Sequence, residues 1–230
     1  MLRSTTVGLT LIALLLAACA RPLTEAERDF AAVTLPGLDA DATRLHQGPS
    51  LALFPMSRPA RPRVNCQDRI VPPPSGDRVR RVIGGFVWRN QVVMAGSSWS
   101  PDYLPDWPEQ LPLGEAMFLA HELTHVWQWQ NRATTAYAPR KAVAEHVQTA
   151  DPYLFTLEAQ RSFLDYGYEQ QAALVEEFVC CRALDPEGAK TTALYDLLAP
   201  HFPGLARRTQ PSRIKLPWSG AKTEAICSDG

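Results

Sequence analysis

The chain has 230 residues and a formal net charge of −1, with 23 Lys and Arg against 24 Asp and Glu. A balance so close to neutral gives no electrostatic case for nucleic acid, which is excluded as a partner on this ground. The length suits one medium domain with a core of its own, and beyond the first eighteen residues no stretch approaches a transmembrane span.

Met1 to Ala18 reads as a cleaved secretory signal peptide. Arg3 supplies a positive charge, and Val7 to Leu16 form an apolar run broken only by Gly8 and Thr10. Leu16-Ala17-Ala18-Cys19 then closes the segment with small residues before a cysteine. The run is too short to span a bilayer comfortably. Leu-Ala-Ala-Cys resembles the lipobox of bacterial lipoproteins. That resemblance implies lipidation of Cys19, a membrane link made by the lipid anchor alone, and a periplasm-facing place in the cell envelope. Ala20, where Asp is absent, implies outer-membrane sorting. Cleavage removes a single charge, so the remainder stays near neutral.

Residues 19–77 read as a helical and proline-rich connector segment. Thr24 with Glu27 is a capping-box pattern for a short helix from Glu25 to about Val33, and a second short helical segment is expected after Asp39 or Asp41. Six prolines between Pro55 and Pro74 argue against any regular element there. Residues 78–200 form the main domain. Arg78 to Ala95 is its best strand region, with Phe86-Val87-Trp88 and Val92-Val93-Met94 set about Arg89-Asn90 as a hairpin. Pro101 to Pro112 lead into a central helix from Leu113 to about Asn131, in which Met117, Leu119, Ala120, Leu123, Val126 and Trp127 make a broad apolar surface. Trp127 and Trp129 are both expected in the core. A polar loop follows, then helical stretches over Leu154–Phe163 and Tyr168–Leu184, the latter ended by Asp185-Pro186. Residues 201–230 read as a surface tail. The predicted fold class is α+β.

Cys66, Cys180, Cys181 and Cys227 remain after Cys19, an even number that allows three pairings in an oxidising compartment. A vicinal bridge between Cys180 and Cys181 is strained, so one or each is expected to reach Cys66 or Cys227. A four-cysteine zinc site is the rival, and it lacks any C-x-x-C pair.

The strongest chemical signal is His121-Glu122-Leu123-Thr124-His125. Side chains four apart share one helix face a turn apart, so both imidazoles can meet one cation. Glu122 lies at the edge of that face, placed to act as general base on a water acidified by Zn2+. Two histidines leave such a site one ligand short. Glu169 is the preferred third metal ligand because it stands one turn into a helix that would pack beside the first. Glu176, seven residues on, shares its face and is the alternative third ligand; with Glu169 in that place it is expected behind a ligand histidine, while Glu177 lies about one hundred degrees away. Tyr166, Tyr168 and His146 are candidates for the catalytic oxyanion donor, with Tyr168 preferred for its place beside Glu169. His46 and His201 have no motif around them.

The His-Glu-Leu-Thr-His helix, continued by Val126-Trp127-Gln128 and followed by Tyr168-Glu169-Gln170-Gln171, is similar to gluzincin-type zinc metallopeptidases. It looks more specifically like the small peptidase-like Vgr-related proteins of bacterial envelope and secretion loci, over about Val82 to Leu184. The resemblance implies a zincin-like domain across 78–200, zinc ligands His121, His125 and Glu169, and a catalytic Glu122. It departs at Ala173, where the larger gluzincins carry an acidic residue. Zincins commonly pair an extended peptide with an edge strand, a role open to the Phe86–Met94 hairpin. The expected function is therefore a zinc-dependent metallopeptidase, a hydrolase acting on a peptide or envelope protein substrate. The alternatives are a non-catalytic zinc-binding lipoprotein acting as an assembly or interaction module, and a cell-wall amidase.

Overall fold

The computed structural model describes residues 20–49 and 56–228. The segment read as a signal peptide, and Cys19 after it, lie outside the described residues. The architecture is mixed α+β, with three small sheets and several helices.

Two helices form the centre. Helix α3 (Leu113–Gln130) is buried along most of its length, from Leu119 to Gln128 without interruption. Helix α6 (Tyr168–Leu184) packs along it and is buried at Gln171 to Val175 and Glu177 to Arg182. Their apolar residues face partners on nearly all sides, as an internal helix pair requires. Fully buried Arg182 donates to the carbonyls of Val33 and Ala206 at 3.1 and 3.2 Å, tying α6 to the end of α1 (Glu25–Thr34). The capping box foreseen at Thr24 and Glu27 is present. The Glu27 carboxylate also takes the Arg21 guanidinium at 2.7 Å and the Tyr103 amide at 2.9 Å, so this cap anchors a distant loop.

One face of α3 is covered by a four-stranded sheet. Its strands are β1 (Ala20–Arg21), β2 (Arg44–Gln47), β5 (Gly85–Trp88) and β6 (Gln91–Met94), in the order β1-β2-β6-β5. The hairpin read from the sequence is β5–β6, turned through Arg89 with φ of 60°. Where a helical segment was expected after Asp39, a turn leads into β2. That strand pairs parallel with β6, Leu45 opposite Val92, and buries Leu45. Sheet pairing to a strand far along the chain outweighs the local preference.

The proline-rich stretch also departs from expectation. It contains β3 (Met56–Pro59), paired antiparallel with β4 (Arg78–Arg81), and α2 (Cys66–Arg69). A two-stranded ribbon is all edge, so Pro59 can end β3 without breaking an internal ladder. Helix α4 (Arg132–Thr135), α5 (Pro139–Gln148) and α7 (Ala189–Leu198) are further elements; α4 and α5 fall in the expected polar loop. Conversely, Leu154–Phe163 is irregular. The Tyr166 hydroxyl accepts the Glu158 amide at 3.3 Å and donates to the Thr156 carbonyl at 3.0 Å, giving this backbone partners outside any helix. The last short sheet pairs β7 (Gln110–Pro112) with β8 (Arg213–Lys215), bringing the tail back to the start of α3.

The cysteines pair as Cys66–Cys180 and Cys181–Cys227, so the two neighbours on α6 each take a different partner. One bridge clamps α2 to α6 and the other pins the tail. Sulfurs spent in disulfides are not thiolate ligands, which removes the four-cysteine zinc alternative. Trp127 is buried as expected, whereas Trp129 is only half-buried beneath Arg132, 4.4 Å from its ring.

Candidate metal centre

His121 and His125 project from one face of α3, and Glu169 from the first turn of α6 meets them. Glu169 Oε2 is 3.4 Å from Nε2 of each histidine. Ligand-type atoms of all three residues lie within 4.8 Å of one another, and all three side chains are buried. A tetrahedral cation bonded at about 2.0–2.1 Å sets its ligand atoms about 3.4 Å apart. The separations therefore suit a cation at the shared centre better than direct hydrogen bonds, whose N···O distances run near 2.9 Å.

The outer ring nitrogens are also committed. His121 Nδ1 lies 3.2 Å from Glu176 Oε2, and His125 Nδ1 lies 2.8 Å from Gln128 Oε1. A carboxylate can only accept. The Gln128 amide is oriented by its own donation to Gln171 Oε1 at 2.9 Å and the Tyr168 carbonyl at 3.0 Å, so its oxygen faces the ring. Both Nδ1 atoms therefore donate, and in the neutral rings a metal requires, both Nε2 lone pairs would face Glu169. At Ala173 there is no acidic group, and Glu176 with Gln128 serves these rings instead. Gln128→Leu is expected to weaken metal affinity by about 10–100-fold without unfolding the chain, read from a chelator competition titration.

Helix α5 supports the third group. Glu145 accepts the Tyr168 and Glu169 amides at 2.8 and 3.0 Å, capping α6 at the turn that carries Glu169. The next residue, His146, places Nε2 3.1 Å from Glu169 Oε1. In the metal-free protein this cluster holds protons. Burial would lower His121, but the Glu169 and Glu176 carboxylates beside it outweigh burial and hold the ring up at about 10. His125 is likewise raised, the Glu169 carboxylate overriding burial. Glu169 is held well below the usual carboxylate range: burial opposes this, but the charge of His125 and the close approach of His121 and His146 prevail. A cation must displace these protons, so its affinity falls as the medium becomes more acidic.

Glu122 stands apart from the three. It is buried, its Oε2 has no hydrogen-bond partner, and burial raises its carboxyl above the ordinary value. Orphaned buried carboxylate oxygens are rare enough to ask for an occupant of the space in front of them. Gly85 on β5 makes room for it: a Cβ there would fall 3.0 Å from Glu122 Cδ.

A cavity of about 800 Å3 opens over these groups. Tyr168, the preferred oxyanion donor, is not brought into it. Its hydroxyl donates to the Ala136 and Thr135 carbonyls at 2.9 and 3.3 Å, fastening the end of α4. Tyr166 is similarly engaged with Thr156. Tyr137 and Tyr153 line the cavity instead. Tyr137 stacks against His125 with ring centroids 6.1 Å apart, and Tyr153 lies 5.6 Å from His121. Neither has a motif around it, so only tertiary structure reveals them. His46 and His201 lie away from the site, beside Gln91 and Ser162 respectively.

Among curated proteins, a 73-residue stretch is 30% identical to the type VI secretion system spike protein VgrG2b of Pseudomonas aeruginosa. The stretch is 32% of this chain and spans only 7% of that protein's length. No family model matches the chain, and no solved structure matches it.

Proposed function

We propose that this chain is a zinc-dependent metallopeptidase of the bacterial envelope, with a zincin-like domain held to the membrane by a lipid on Cys19. The observation that carries the reading is the juxtaposition of two Nε2 atoms and a Glu169 oxygen, with a buried Glu122 whose Oε2 has no partner. His₂Glu is a donor set typical of catalytic zinc, which keeps a position open. The partial likeness to a type VI secretion spike protein accords with the Vgr-related resemblance read from the sequence. No helix among the described residues is long and apolar enough to cross a membrane.

Bound to His121, His125 and Glu169, zinc would supply Lewis acidity that acidifies water and polarises a carbonyl. Glu122 accepts the proton of the attacking water and passes it to the leaving amine. Burial suits Glu122 to both steps, because a raised pKa makes the carboxyl a competent acid after it has served as base. Tyr137 and Tyr153, both protonated at neutral pH because burial raises them further, are O–H donors facing the cavity. Strand β5 has β6 as its only partner among the described residues, so its other edge is available to a substrate backbone. A purely structural zinc site is usually closed by four protein ligands and has no use for Glu122.

Stripping the metal with a chelator is expected to abolish hydrolysis of denatured protein fragments, and adding back zinc to restore it. Cleavage that persists at full rate in the metal-free chain would overturn the reading.

A further inference from the structure

Nine large apolar side chains are exposed among the described residues, and six of them line the cavity over His121, His125 and Glu169. Val82, Ile83, Phe86 and Trp88 stand on β5 and its approach, with Phe86 51% and Trp88 55% exposed. Val143 and Val147 stand one turn apart on α5, 63% and 84% exposed. Gly85 of β5 sits against Glu122, while His146 of α5 sits against Glu169, so these two elements flank the metal residues. Apolar surface concentrated along a groove, rather than scattered, marks a binding surface.

Of the three arginines that line the cleft, Arg140 is exposed and the other two are engaged elsewhere. Arg58 is turned to the His146 and Thr149 carbonyls at 3.2 and 3.1 Å, and Arg61 to Asp151. Both spend their donors inside the protein.

We propose that the cleft selects polypeptide segments with apolar side chains on both sides of the bond brought to the metal. This deepens the peptidase reading and rests on it. Such segments are buried in folded proteins and exposed in unfolded or unassembled ones, so the substrate class is non-native or unassembled polypeptide. Cell-wall peptide, with small and charged side chains beside sugars, would leave the six apolar residues in water.

The test uses the full chain, zinc-loaded and reconstituted in lipid vesicles, given a mixture of fragments from denatured proteins. The bonds cut are expected to be flanked by Leu, Ile, Val or Phe on both sides. Val143→Glu with Val147→Glu is expected to raise KM for an apolar-flanked peptide about tenfold, with kcat and zinc content unchanged. Equal use of polar and apolar flanks, or an unaltered KM in the double variant, overturns the proposal and leaves the peptidase reading standing. If the zinc-loaded chain cuts nothing, the peptidase reading falls. The cleft is then tested by anisotropy of labelled Leu-rich and Ser-rich peptides on Glu122→Gln. Tighter binding of the Leu-rich peptide, lost with the two Val→Glu changes, sustains the selectivity, and equal binding overturns it.

Discussion

Replacing Glu122 by Gln is expected to lower peptide hydrolysis by about a thousandfold while metal content and melting temperature stay near those of the parent. The substitution keeps the shape of a buried side chain wedged beside Gly85 and removes only its capacity to take a proton. Glu122 is outside the trio that meets at the centre, and one of its oxygens has no protein partner to lose. The cost should therefore appear in kcat, with KM little changed, because the proton transfer belongs to the transition state. A variant that keeps the parental rate would remove Glu122 from the chemistry. A variant that also loses its metal would make Glu122 a ligand, contrary to the geometry.

Glu169→Ala is expected to have the larger effect on the metal itself. Its Oε2 is equidistant from the two Nε2 atoms, and among the described residues no other carboxylate pairs with both. Removing it leaves a two-histidine site, and zinc affinity should fall by more than a hundredfold. The parent should gain about 4 kcal/mol against unfolding at free zinc a thousand times its dissociation constant, and the variant almost none. Differential scanning calorimetry with and without zinc reads the difference. Of the three ligand residues, Glu176→Ala touches only His121, at its outer nitrogen, and the same measurement should show an intermediate loss of about 10–100-fold.

The parts of this fold legible in the sequence were those with a strong local pattern. Helices α3 and α6, the capping box at Thr24 and the β5–β6 hairpin each carry their own period or turn signal over consecutive residues. Strand β2 does not: Arg44–Gln47 is a strand because β6 lies beside it. Helix α5 buries only Ala142, so it shows no stripe, and its Pro139 start was the one usable sign. The site divides in the same way. His121, Glu122 and His125 follow from spacing on one helix. Glu169 and Glu176, seven residues apart, share a face of α6, and spacing alone ranks them only by nearness to the helix start. Packing separates them, with Glu169 at the Nε2 atoms and Glu176 at an Nδ1. Gln128, Glu145, Tyr137 and Tyr153 acquire their places only when α3, α5 and α6 meet. Tyr168 shows the hazard of sequence adjacency, because neighbouring residues on a helix point about one hundred degrees apart.

Zinc content tests the central claim most directly. The full chain is purified without chelators, and zinc per chain is measured by plasma mass spectrometry beside His125→Ala. About one zinc per chain in the parent and little in the variant is the predicted result. No zinc in the parent, even after reconstitution, with a melting temperature that zinc leaves unchanged, would contradict a metal centre at His121, His125 and Glu169.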